Sequence, residues 1–218
     1  MALLSAFRLT PSDLAWFSEP VRIGRVIVPG PSFEEDYLAH RVHARVGQAI
    51  AAALPAGSPP AGEVVYFSKA RLASGVWHIL NEAELDSFLL DRGVTVLYPD
   101  RMPLEAQIAA LNDASCAIST SNSALHTLLL ARPGRRILGL HLHDLSTNQA
   151  LIDILCSARA DHRRIGEHLI EKQVAGAADP RRRLDTAPGF LRSFHLRDPV
   201  ALGSAILRLV ERSPTTRP

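Results

Sequence analysis

The chain has 218 residues, 47% of them apolar, with 24 Lys plus Arg against 22 Asp plus Glu and a formal charge of +2. A chain this apolar can bury a sizeable core, which excludes wholesale disorder. A charge this small excludes a dedicated nucleic-acid binder, which carries a strong basic stripe. No apolar run reaches the ~20 residues that span a bilayer. The start from Met1 to Phe7 lacks a basic segment and predicts no secretory leader. Two cysteines, Cys116 and Cys156, make no disulfide framework. These features together predict a cytoplasmic protein of mixed α/β class, without a transmembrane segment.

In chain order, Thr10-Pro11 predicts a capped helix start, with the helix over by Pro20. Residues 21–28 (VRIGRVIV) read as a strand, stopped by Pro29-Gly30-Pro31. Ser32 predicts the cap of a longer helix over 33–54, with Glu34, Glu35 and Asp36 at its positive end. Residues 55–62 (PAGSPPAG) are a linker.

Beyond the linker the pattern becomes regular. Strands are expected at 63–68, 94–98, 116–119 and 136–141, and helices at 81–92, 103–114, 121–130 and 148–159. Strands alternating with helices of ten to twelve residues mean βαβ units, hence a Rossmann-like parallel sheet with helices on both faces. Residues 175–189, with Arg181-Arg182-Arg183, read as a loop, and Asp198-Pro199 starts a last helix ending near Arg212. The division is therefore an N-terminal arm over 1–60, a Rossmann-like domain over 61–176, and a loop with a C-terminal helix over 177–218.

Ligands of open parallel sheets bind outside the carboxyl ends of the strands. At one such end, Ser119-Thr120-Ser121-Asn122-Ser123 leads from a buried strand into a helix that carries His126. Small polar residues there offer backbone N–H groups and hydroxyls at a positive helix end, which suits a diphosphate. Ordinary helix capping uses the same residue types. At a second strand end, Ser68 precedes Lys69 and Arg71, both able to pair with phosphate oxygens or simply to be solvated.

Asn81 and Glu84 have the spacing of a capping box, and Glu105 and Gln107 sit at another helix start. His141 and His143 fall on one face of a strand end, but a metal site needs at least three protein ligands and no third is evident. Trp77 could stack on a base or sugar, or fold onto the core. Cys116 lies in an apolar strand and reads as a structural thiol. No Walker loop, nucleophile elbow or dinucleotide fingerprint occurs.

Several of these segments in order resemble glycosyltransferase family 61, whose bacterial members are often labelled capsular polysaccharide biosynthesis proteins. They are Val65-Tyr66-Phe67-Ser68-Lys69, Ile79-Leu80-Asn81-Glu82, Tyr98-Pro99, Pro103-Leu104-Glu105-Ala106-Gln107, and Ser123-Ala124-Leu125-His126 with Pro133-Gly134. The likeness runs over about residues 60–142. Lys69 stands where the family usually has Arg, and the 119–123 loop lacks its usual Gly and His.

The resemblance implies one lobe of a GT-B enzyme, the donor-binding one, and sugar transfer from a nucleotide-sugar to a glycan acceptor in capsular or exopolysaccharide synthesis. It implies no obligatory metal and no cofactor beyond the nucleotide-sugar substrate. Carried over residue by residue, it makes Ser119, Thr120, Ser121, Asn122 and Ser123 the diphosphate cradle and Lys69 or Arg71 a phosphate contact. Ser68, Asn81, Glu82, Gln107 and His126 would complete the binding site, with no general base assigned. Two complete lobes do not fit in 218 residues. That leaves room for a homo-oligomer or a partner chain, and for a non-catalytic nucleotide-sugar-binding module as the alternative. A more distant alternative is an unrelated α/β protein with a phosphate-binding loop.

Overall fold

The computed structural model describes residues 4, 7–58, 62–120, 123–172 and 189–212. The expected loop over 175–189 lies outside the described residues except for Gly189. Near the N-terminus the expected helix shrinks to one 3₁₀ turn, Pro11–Asp13, where the amide and hydroxyl of Thr10 both donate to Asp13 Oδ2 at 2.7 Å. Residues 21–28 form no strand: among the described residues they pair with no neighbour, and Val26, Ile27 and Val28 are 62–82% exposed. A strand needs partners to be stable in water, and β-prone composition supplies none.

The expected helix over 33–54 divides. Phe33–Glu34 (β1) and Leu38–Ala39 (β2) make a small antiparallel hairpin, and helix α1 starts only at Arg41, spanning Arg41–Ala53. Asp36 turns the hairpin at φ +58°, a left-handed conformation that no helix interior accepts. Ser32 does not cap the helix; its hydroxyl lies 2.9 Å from His43 Nδ1. Gly47 lets α1 close onto the segment 123–130, since any side chain there would strike the Leu129 carbonyl.

The centre is a five-stranded, all-parallel sheet. Its strands are β3 (Val64–Phe67), β5 (Thr95–Leu97), β6 (Cys116–Thr120), β7 (Arg136–His141) and β8 (Arg159–Arg164). Their order is β5-β3-β6-β7-β8. Helices α2 (Glu82–Leu90), α3 (Leu104–Asp113) and α4 (Thr147–Leu155) cross between the strands, with Ser123–Leu130 as 3₁₀ rather than α-helix. This is the Rossmann-like α/β arrangement expected from the alternation. Counting these strands from β3, the order reverses between β3 and β6, so the topological switch point lies at their carboxyl ends.

A second sheet has the order β4-β10-β9, formed by Gly75–Ile79 (β4), Leu169–Lys172 (β9) and Phe190–Leu196 (β10). It and helix α5 (Pro199–Arg212) cover one face of the parallel sheet together with α2. Tyr66, Ile118 and Leu140 point to that face, whereas Val65, Phe67 and Ala117 point to the face under α3, α4 and the 3₁₀ segment. Alternate residues of each strand thus enter separate cores, which is why these strands read as unbroken apolar runs.

Candidate functional site

At the switch point, Ser68 and Lys69 leave β3 beside the loop that leaves β6. Ser68, Lys69, Gln107 and Ser123 line one pocket of about 230 Å³, closed by Leu72, Pro99, Asp100 and Ala124. Four of the residues expected at the site are therefore brought together. Gln107 also has a structural role: its amide donates to the carbonyls of Pro99 (2.9 Å) and Met102 (3.1 Å), holding the pocket rim after β5.

Lys69 is turned inward and is only 7% exposed. Its ammonium sits 3.2 Å from the centroid of the Trp77 ring and 3.4 Å from the Trp77 carbonyl. Its backbone N–H donates to Glu82 Oε1 at 3.3 Å, the same oxygen that accepts the Tyr66 hydroxyl at 2.6 Å. Burial lowers Lys69 to about 8 against the opposing pull of Glu82. Burial likewise raises Glu82 to about 7, although Tyr66 and Lys69 both favour its charged form.

One turn further along α2, Asp86 accepts from the Ser68 hydroxyl (2.9 Å) and the Tyr98 hydroxyl (3.1 Å). Burial raises this carboxyl too, opposed by Ser68, Tyr98 and Arg71. Arg71 is not in the pocket lining; its guanidinium lies 4.0 Å from the Tyr98 ring centroid. Two buried carboxylates on one helix face thus tie down the loop that carries Lys69. The second oxygens of both, Glu82 Oε2 and Asp86 Oδ1, lack a hydrogen-bond partner among the described residues.

The other expected residues lie behind or beside the pocket. Asn81 clasps β10, donating to the Leu196 carbonyl (3.2 Å) and accepting from its N–H (2.8 Å). Ser119 is buried with its hydroxyl on the carbonyls of Phe67 and Thr120. Thr120 is buried, its hydroxyl unpartnered among the described residues. His126 is exposed on the 3₁₀ segment and outside the pocket lining. Ser121 and Asn122 lie outside the described residues.

Asp86 and Asp100 were not singled out from the sequence, and Tyr66 and Tyr98 entered only within segments that carry the family resemblance, with no role at the site. One signal was available: Glu82 and Asp86, four apart on a helix that also carries Leu85 and Leu89, must share a face with those leucines close by. The two histidines of the β7 end separate. His141 Nε2 meets His162 Nδ1 at 2.6 Å, and His162 Nε2 meets Asp153 Oδ2 at 2.6 Å, whereas His143 lies 3.3 Å from Arg192. Among the described residues no three His, Cys, Asp or Glu side chains are placed to hold a metal ion. Among the same residues no helix is long and apolar enough to cross a membrane.

Comparison with known proteins extends the likeness seen in the motifs. No curated protein matches the chain. The sequence pattern of the family described as Glycosyltransferase 61 matches residues 2–138, so it takes in the N-terminal arm as well as the strands and helices that build the pocket. The match covers more than half of the 218 residues, and the chain belongs to the glycosyltransferase 61 family.

Proposed function

We propose that the chain binds the diphosphate end of a nucleotide-sugar at the switch-point pocket and passes the sugar to a glycan acceptor. The observation that carries this reading is that Lys69, from the loop after β3, and Ser123, from the loop after β6, line one cavity. The cavity is smaller than the roughly 300–1,000 Å³ of a whole small-molecule site. It suits the diphosphate and the start of the sugar, with the nucleoside over the open sheet edge.

In the reaction, the bond from the anomeric carbon to the diphosphate oxygen breaks as the acceptor oxygen bonds to that carbon. The diphosphate leaves with the electron pair, stabilised by the Lys69 ammonium and by N–H groups of the 119–123 run. Lys69, lowered to about 8, still carries its charge at neutral pH. Asp100 is the one carboxylate among the pocket-lining residues and takes the acceptor's hydroxyl proton. We place the reaction in the cytoplasm, in capsular or exopolysaccharide synthesis, in keeping with the family resemblance and with two buried free cysteines.

Calorimetric titration with uridine, guanosine and cytidine nucleotide-sugars tests the binding, and donor consumption over hours tests the turnover. Lys69→Met should weaken nucleotide-sugar binding about tenfold or more, as expected for loss of a charge-assisted contact. Acidic replacements at Ser121 and Asn122 should abolish it. Binding by no nucleotide would overturn the reading. Binding without turnover would reduce it to a non-catalytic module.

A further inference from the structure

A second cleft, of about 750 Å³, opens at the carboxyl ends of β7 and β8 and is walled by β9 and β10. We propose that this cleft binds a neutral glycan and so holds the acceptor. The inference deepens the reading above and rests on it for the ligand's role, though not for the ligand's chemistry.

The rim carries three arginines, which at first suggests an anion site. Each of them, however, already faces a carboxylate. Arg163 meets Asp161 through two nitrogens at 2.9 Å. Arg192 grips Glu171 with Nε–Oε1 at 2.7 Å and Nη2–Oε2 at 2.9 Å. Arg164 lies 3.7 Å from Asp144, and Glu167 adds a further acid to the lining. Counting the carboxylates they face, Asp161, Asp144 and Glu171, together with Glu167, the three arginines leave no surplus positive charge among the described rim residues to attract a phosphate or a polyanion. What the rim offers is donors and acceptors side by side, held at fixed spacing by bidentate pairs. A sugar hydroxyl donates and accepts at once, so neighbouring hydroxyls of a ring match such a rim.

The remaining walls fit the same ligand. Leu142 supplies partly exposed apolar surface for the C–H face of a sugar ring, backed by the buried Leu169 and Phe194. His162 is a rigid wall, since both its ring nitrogens are engaged, by His141 and by Asp153, and Gln149 holds Asp153 in turn at 2.8 Å. A wall fixed in advance reduces the ordering cost of binding.

Position links the cleft to the donor pocket. In the second sheet Arg192 stands in register with Trp77, whose ring holds Lys69, and Phe194 meets the Trp77 ring edge-on at 5.8 Å. One strand, β4, therefore separates the acceptor cleft from the Lys69 side of the pocket. Neighbouring strands lie only ~4.8 Å apart.

The test is titration of the whole chain, without nucleotide, with neutral hexasaccharides of glucose, mannose, galactose and xylose. Hexagalacturonate and inorganic diphosphate serve as charged probes. At least one neutral hexasaccharide should bind, about tenfold or more weakly in both Arg192→Leu and Glu171→Gln. Glu171→Gln keeps the side chain's shape, so a folding defect in Arg192→Leu leaves the test intact. Failure of all four neutral sugars at millimolar concentration would overturn the proposal. So would binding that survives both variants, or tighter binding of a charged probe at this cleft. Nucleotide-sugar titration of the unsubstituted chain separates the two readings: nucleotide binding with no glycan binding overturns only the cleft, and glycan binding with no nucleotide binding overturns only the donor pocket.

Discussion

Lys69 lays its ammonium 3.2 Å from the centroid of the Trp77 ring, inside the fold rather than out in solvent. The contact joins the loop after β3 to β4 and fixes the cation at the pocket wall. A desolvated cation–π contact contributes roughly 2 kcal/mol. Trp77→Leu should therefore free the lysine and weaken nucleotide-sugar binding, while Trp77→Phe should retain most of it. Because Trp77 also packs on Phe194, the Leu variant should lose roughly 1–3 kcal/mol of stability in urea unfolding. Equal donor affinity in the Leu and Phe variants would detach the aromatic ring from any role in placing Lys69.

Two buried groups act on stability in opposite directions over nearly the same pH range. Glu82 is raised from 4.5 to about 7, so the folded state holds the extra proton, and its contribution is lost as pH rises through that interval. His141 is lowered from 6.5 to about 4 by burial and by His162, so its contribution is present above 6.5 and lost as pH falls towards 4. Between about 4.5 and 6.5 the two slopes oppose each other, and the contributions of this pair largely cancel there. Glu82→Gln should expose the histidine limb: its stability relative to wild type should rise by up to roughly 3 kcal/mol between pH 5 and pH 7.5. Denaturant titrations at intervals of pH would show this, and parallel profiles for variant and wild type would contradict it.

The parallel sheet was legible because β3, β6 and β7 are buried on both faces and therefore read as plain apolar runs. Strand β8 was missed for the opposite reason. Its sequence, Arg-Ala-Asp-His-Arg-Arg, belongs to an edge strand with polar side chains, and residues 148–159 looked like one continuous helix. Strands β4 and β10 escaped because their sheet pairs segments more than a hundred residues apart, as in Trp77 with Arg192. At the site, Lys69 and Ser123 could be found from the rule that ligands sit at strand ends. The side chains that hold them from behind could not. Asn81 looked like a helix cap, but its amide makes no cap hydrogen bond and spans instead to Leu196. Local spacing carries no information about that partner.

That distant partner makes a distinct prediction for Asn81. Its two hydrogen bonds satisfy both backbone groups of the fully buried Leu196. Asn81→Ala would leave the Leu196 N–H without its partner, while the carbonyl keeps His195 Nδ1 at 2.9 Å, at a cost of roughly 1–3 kcal/mol. Hydrogen exchange should accelerate at the Leu196 amide before it does so in β6 or β7. Nucleotide-sugar affinity of the folded fraction should remain close to wild type, because the side chain points away from the pocket. Normal exchange at Leu196 together with lost affinity would instead assign Asn81 to ligand binding.

Gly139 lies in β7, where the His141–His162 pair occupies the space a side chain would need. A Cβ at this position would collide with His162 Nδ1 and come within 2.9 Å of His141 Nε2. Neither imidazole can retreat without cost: His141 is 3% exposed, and His162 is pinned by Asp153. Gly139→Ala should therefore destabilise the fold by roughly 1–3 kcal/mol, even though alanine is better suited to a strand than glycine. The double variant Gly139→Ala with His162→Ala should recover part of that loss, since the colliding ring is gone. A double-mutant cycle in urea measures the coupling. If the two changes simply add, the histidine pair is not what keeps the position a glycine.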